Sequence, residues 1–175
     1  MYRCCVFLLL VSTLQRAYAG TACEPSWDED FTGSLDQTVW NVVEGDGCPE
    51  GICGWGNNEA QSYDEAGIAI EDGILKLTTF VDGQGQIRSG KLTTADKHSC
   101  QHGYIKARIG LLQWRGLWPA FWMMPEGQQF GWPLQGEIDI LEWTDHEPHQ
   151  IIGAIHFGGQ PLSLIHISEP TRHRR

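Results

Sequence analysis

Helical periodicity is nearly absent from this chain, while short runs rich in Val, Ile, Leu, Thr, Phe and Trp recur between Gly, Pro, Asn and Asp. A chain punctuated so often cannot build long helices, so strands must bury its apolar surface, in an all-β sandwich or barrel. Period-two alternation is clear in GILKLTTF (73–80), GYIKARIGL (103–111), PAFWMM (119–124) and IIGAIHFG (151–158). Turn signals separate these runs, notably EDG at 71–73, VDGQGQ at 81–86 and MPEG at 124–127. No internal repeat or low-complexity linker divides them, and a single domain is expected.

The two ends differ from what lies between. Arg3 precedes an apolar run from Cys4 to Leu14, and Ala17, Tyr18 and Ala19 stand before Gly20. That pattern predicts a secretory signal peptide over residues 1–19 and an exported product. Its apolar core is too short to span a bilayer, and no later stretch approaches eighteen apolar residues, so no membrane span is expected. At the other end QPLSLIHISEPTRHRR breaks with the preceding composition and resembles an adaptor-derived translation. Residues 161–175 are read as a non-native tail, a reading that a genomic locus encoding them would end. Residues 20–160 then hold the domain, whose strand-like runs stop at Gly158 and read as truncated.

Between Gly20 and Gln160 there are seven Lys and Arg against 21 Asp and Glu, a net charge of −14. Such a surface repels phosphate backbones and anionic lipid, which argues against nucleic-acid or membrane partners and for a neutral or cationic ligand. Four cysteines remain there: Cys23, Cys48, Cys53 and Cys100. An even count in an exported protein favours disulfides, with three connectivities open; a bond closing the short loop between Cys48 and Cys53 is the preferred pairing. A zinc site from Cys48, Cys53, His98, Cys100 and His102 is the rival, weakened by the oxidising compartment and by the lack of knuckle spacing.

The chemistry concentrates in GEIDILEW, Gly136 to Trp143. Along a strand Glu137 and Asp139 share a face, with Ile138 and Ile140 on the other. Strict alternation would put Glu142 among the isoleucines, where an unpartnered carboxylate is costly. One extra residue at Ile140 and Leu141, a β-bulge, returns Glu142 to the face of the other acids and Trp143 to the apolar side. Glu137 and Glu142 then behave as residues four apart, with Cα atoms roughly 13 Å apart and carboxyls roughly 5 to 6 Å apart. Retaining glycosidases need about 5 to 5.5 Å, with one carboxylate as nucleophile and the other as acid, then base; an inverting pair, about 6.5 to 9.5 Å apart, lies beyond this spacing but within its precision. Crowded like charges raise the pKa of the carboxyl that ionises last, and that proton is what the leaving oxygen requires. A solvated acidic face, or a calcium site on the same three carboxylates, is the blander reading.

Eight tryptophans are a heavy load, and five fall between Trp114 and Trp143. Indole faces can stack on sugar rings; Trp118 and Trp122, four apart, share a face, and Trp132 precedes the acidic strand. For any one of them a place in the core is the simpler assignment, and Trp143 is assigned there. Asn57 and Asn58 in WGNNEAQSY add amides in a Gly-rich loop, though on their own they read as turn residues, and His156 in AIHFGG reads as a core histidine unless it faces a cleft.

These residues resemble the family 16 glycoside hydrolases, and within them the laminarinase-like endo-β-1,3-glucanases. The match is carried by WDEDFTGSLDQTVW, WGNNEAQSYD, HGYIKARIGL, GLWPAFWMMP and GWPLQGEIDILEWTDHEP, followed by IIGAIHFGG, across most of residues 26–159. The resemblance implies a jelly-roll β-sandwich and a monomer acting on β-glucan. It implies Glu137 as nucleophile, Asp139 as its helper and Glu142 as acid/base, with no cofactor needed for catalysis. It also implies sugar contacts from Trp118, Trp122 and Trp132, and from an Asn of the loop, Asn57 or Asn58, with His156 near the cleaved bond. A structural calcium is implied at Asp30 and the carbonyl of Gly73. Where many members carry Arg in the cleft this chain has Lys91, which offers no bidentate fork. Two alternatives share the motif: a β-glucan recognition protein that binds without cutting, and a galactan-cleaving relative.

Overall fold

The computed structural model describes residues 26–127 and 130–158, and the backbone of 160–167. The expected signal peptide, Cys23 and residues 168–175 lie outside the described residues. Contacts divide the described chain into two compact units, 26–97 with 106–108, and 98–105 with 109–167. Both are built of strands, and among the described residues the helical elements are two 3₁₀ turns. No helix among them is long and apolar enough to cross a membrane.

The first unit holds seven short strands: β1 (Asn41–Val42), β2 (Ser62–Tyr63), β3 (Ile68–Glu71), β4 (Ile74–Leu77), β5 (Phe80–Val81), β6 (Ile87–Ser89) and β7 (Leu92–Thr93). β3 and β4 form a hairpin closed by Asp72 and Gly73, both at positive φ (53° and 70°), as a two-residue mirror-image turn demands. Further along, Gly67 and Gly90 cross so closely that a Cβ on Gly67 would meet Gly90 N at 2.5 Å. Only glycine fits at such a backbone approach. Trp40, 2 % exposed, anchors this unit, its indole N–H donating to Glu29 at 3.1 Å and Phe31 packed beside it. The Lys97 ammonium donates to the carbonyls of Gln37 and Trp40, closing the turn that leads into β1. Cys48 and Cys53 are joined by a disulfide, as expected, and Cys100 is also in a disulfide. Those bonds use up the thiolates that a zinc site would need, which overturns the zinc alternative.

The second unit is a four-stranded antiparallel sheet in the order β11-β10-β9-β8, with β8 at Ala120–Met123, β9 at Glu137–Glu142, β10 at Ile151–Phe157 and β11 at Gln160–Ile167. One face is apolar: Phe121 and Met123 of β8 are buried, and so is Trp143 just after β9 at 2 % exposure, matching its expected place in the core. The Trp143 indole N–H donates to the Pro148 carbonyl, so the one polar atom of this side chain is satisfied.

Two elements differ from the sequence reading. GYIKARIGL alternates as expected but carries no strand among the described residues, because a strand exists only with a neighbour to complete its ladder. Conversely, β11 pairs with β10 from Ile151↔Ile167 to Phe157↔Gln160, over residues whose composition set them apart from the domain. Ladder hydrogen bonds come from the main chain, and a break in composition does not forbid them.

Candidate active site

β9 is the centre of the second sheet, and its register shows why three acids meet. Against β8, Asp139 faces Trp122 and Leu141 faces Phe121, leaving Ile140 as an extra residue. Against β10, Asp139 faces Ala154 and Glu142 faces Ile152, three residues on one strand matched to two on the other. This is the expected bulge, seen in both ladders. It puts Glu137, Asp139 and Glu142 on one face, opposite Phe121, Met123 and Trp143.

Each acid has a defined partner. The Trp132 indole N–H donates to Glu137 Oε2, and the Trp118 indole N–H donates to Glu142 Oε1 at 2.9 Å. His156, directly across from Glu137, is paired through Nε2 with Asp139 Oδ2 at 2.9 Å. The Trp132 and His156 rings approach to 5.6 Å between centroids. One ligand-type atom from each of Glu137, Asp139 and His156 lies within 4.8 Å of the others. Trp118 and Trp132 remain 51 % and 61 % exposed, so their polar edges meet the carboxylates while much of each ring stays at the surface. Sequence reasoning foresaw the tryptophans beside the acids but not that their N–H groups bind the two glutamates. Spacing places a ring near a strand and says nothing of which edge points inward.

Electrostatics single out Asp139. It is 5 % exposed, and its pKa is pushed up to about 7, first by burial, then by the charges of Glu137 and Glu142, with His156 acting in the opposite direction. Sequence reasoning expected crowding to raise the pKa of one carboxyl of the three, and did not single out the middle acid, where burial adds to the crowding. The reason is position, because Asp139 is the acid enclosed between Trp122 and Ala154 in the two ladders.

A stability prediction follows from that shift. The folded pKa lies above the unfolded value near 3.9, so the native state binds the extra proton between about pH 4 and pH 7. Stability should therefore fall as pH rises through that window and level off above it. Asp139→Asn removes the titration, so the variant should gain on the wild type by on the order of a few kcal/mol between pH 4 and pH 8. Urea melts of both proteins at the two pH values check this; a constant difference would refute it.

The remaining expected residues lie in the first unit and are described within it. Asn57 and Asn58 are exposed; the Asn57 amide donates to Glu59 at 3.4 Å, and Asn58 takes a positive φ of 57°, the turn role weighed above. The Lys91 ammonium sits 4.6 Å over the Trp55 ring and 4.9 Å over Tyr63, a cation–π arrangement the sequence did not disclose. Tyr63 in turn donates to Glu59 at 2.5 Å. The calcium candidates are neighbours, with the Asp30 carbonyl oxygen 3.8 Å from where a Cβ on Gly73 would stand. The Asp30 carboxylate accepts from Thr32 N and Oγ1, both at Oδ1.

Comparison with known proteins agrees with this geometry. The family model described as Glycosyl hydrolases family 16 matches residues 53–171. A glucan endo-1,3-beta-glucosidase of Cryptopygus antarcticus is 36 % identical over 156 residues, covering 83 % of this chain and 55 % of that protein. Among solved structures, the laminarinase of Flavobacterium sp. UMI-01 is 39 % identical with a TM-score of 0.68, covering 82 % of this chain and 64 % of that one. The laminarinase catalytic domain of Thermotoga petrophila RKU-1 is 30 % identical with a TM-score of 0.75, covering 87 % and 64 %. This chain thus spans little more than half the length of the Cryptopygus relative. The fold class is all-β, the jelly-roll sandwich class expected from the sequence. From its matched residues and its bulged acidic strand, the chain belongs to glycosyl hydrolases family 16.

Proposed function

We propose that this chain carries the catalytic face of a secreted, monomeric, retaining glycosidase that cuts internal β-1,3 linkages of β-glucan, and mixed β-1,3/1,4 glucan as well. The observation that carries the reading is the bulge that sets Glu137 and Glu142 on one face, each held by an indole N–H. Two carboxylates suffice for this chemistry, and no cofactor enters it. Glu142 gives its proton to the leaving glycosidic oxygen while a Glu137 oxygen bonds to the anomeric carbon. Glu142, now a base, then takes a proton from water, which displaces Glu137 and returns it as a carboxylate. Trp132 and Trp118 fix the two carboxylates and offer ring surface to sugars, with Trp122 opposite Asp139. Asn57, Asn58 and Lys91 are proposed as further sugar contacts.

Product analysis on laminarin, mixed-linkage glucan, agar and carrageenan, with protein from the complete reading frame, tests the substrate class. Release of β-1,3-linked oligosaccharides supports the proposal. Laminarin binding without turnover would make it a recognition protein, and turnover of galactans alone would make it a galactanase.

The proposal includes the boundaries read from sequence: a signal peptide over 1–19, a partial catalytic domain over 20–160 and a foreign tail over 161–175. N-terminal sequencing of the exported product should begin at Gly20. A structural calcium at Asp30 and the carbonyl of Gly73 is supported by the close approach of Asp30 to Gly73. EDTA should then lower the melting temperature of the full-length protein, and an unchanged value would remove the ion from the account.

A further inference from the structure

The resemblance places His156 at the sugar, but its surroundings point elsewhere. It stands directly opposite Glu137 in the β9–β10 ladder, yet its side chain leans along the diagonal to Asp139, two residues on. Ala154, the residue opposite Asp139, is small and 3 % exposed, which leaves that diagonal open. The imidazole is 16 % exposed and the Asp139 carboxylate 4 %, so the pair is largely withdrawn from solvent. Trp132 packs near the imidazole and donates to Glu137, so Glu137, Trp132, His156 and Asp139 form a chain of contacts. With Nε2 committed, the imidazole has one nitrogen left for any other partner.

We propose that His156 is a positioning residue: it acts on the reaction through Asp139, and through Asp139 on Glu137, and is not a sugar contact. This deepens the glycosidase reading and rests on it. One proton bridges Nε2 and Oδ2 whichever atom holds it, because ionised Asp139 accepts from the ring and protonated Asp139 donates to it. Asp139 keeps the proton while Glu137 is anionic beside it. Once Glu137 is esterified by the sugar, that charge is gone and the proton moves across the hydrogen bond to Nε2. When water releases the sugar, the Glu137 charge returns and the proton moves back. No proton leaves the pair and no bond to carbon is involved.

The groups facing this pair are Glu137 and Glu142 on β9; on β8 the facing positions are Ala120 and Trp122, and on β11 the register position opposite Ile152 is His166. His156 lowers the Asp139 pKa against burial and the two glutamates. Removing it should therefore move the Asp139 step in the pH–rate profile to higher pH.

The test uses protein from the complete reading frame, on laminarin, with His156→Ala and His156→Gln. The alanine variant should lose about 10- to 100-fold in kcat, as for one hydrogen bond to a charged group, with KM within about twofold. Glutamine can still hydrogen-bond Asp139 but cannot take its proton, so it should recover only part of kcat while the pH step stays displaced. A raised KM with unchanged kcat would make His156 a sugar contact and overturn the proposal. A profile superimposable on the wild type would overturn it in favour of a purely structural role. A second measurement needs no turnover: the NMR signal of the His156 imidazole in the substrate-free protein should respond to the ionisation of Asp139 across their hydrogen bond, a response that Asp139→Asn abolishes. An imidazole signal indifferent to Asp139→Asn would overturn the pairing, whereas a wild type inert on laminarin would overturn the glycosidase reading alone.

Discussion

Glu137→Gln should reduce laminarin hydrolysis by about 10⁴-fold or more while leaving the protein folded and able to bind the polysaccharide. The amide keeps the shape of the side chain and an oxygen for the Trp132 N–H, so the geometry around it survives. What it loses is the negative charge and the nucleophilic oxygen, without which no glycosyl-enzyme bond forms. The substitution also removes one of the charges that raise the Asp139 pKa, so the Asp139 step should move to lower pH in this variant. Kinetics, a binding isotherm on laminarin and a melting curve separate the outcomes. Activity that survives within tenfold would remove Glu137 from the role, and lost binding with lost stability would make it a structural acid.

Glu142→Gln should behave differently, because its contribution depends on the leaving group. On laminarin, where the departing oxygen must be protonated, kcat should fall by about 10²- to 10⁴-fold, the range for a positioned general acid. On an aryl β-glucoside oligosaccharide with an acidic phenol as leaving group, the first step needs little protonation. The loss there should be smaller, with a burst of phenol as the glycosyl-enzyme accumulates, since no base remains to activate water. The Trp118 N–H can still reach the amide oxygen, so the fold around Glu142 should hold. Equal losses on both substrates would contradict the acid/base role.

Much of this arrangement was legible in the residues. Alternation located β4, β8 and β10, because successive side chains of a strand point to opposite faces and write that period into the sequence. The cost of burying Glu142 among isoleucines called for the bulge before any coordinates. The two-residue strands β1, β2, β5 and β7 carry no period and could not be read. GYIKARIGL shows the reverse limit, since alternation states what a segment could pair and a partner decides whether it does. The raised pKa of Asp139 was out of reach because three acids look alike in sequence, and the burial of this one is set by its neighbours on other strands, Trp122 and Ala154. The indole donors on Glu137 and Glu142, and Lys91 over Trp55, depend on side-chain direction that spacing does not encode.

The most direct measurement is proton NMR of the anomeric signals during the first minutes of laminarin hydrolysis by protein from the complete reading frame. Double displacement through Glu137 inverts the anomeric carbon twice, so the first new reducing ends should be β, with α appearing later by mutarotation. New ends that are α from the start would mean a single displacement by water, and would contradict the assignment of Glu137 as nucleophile.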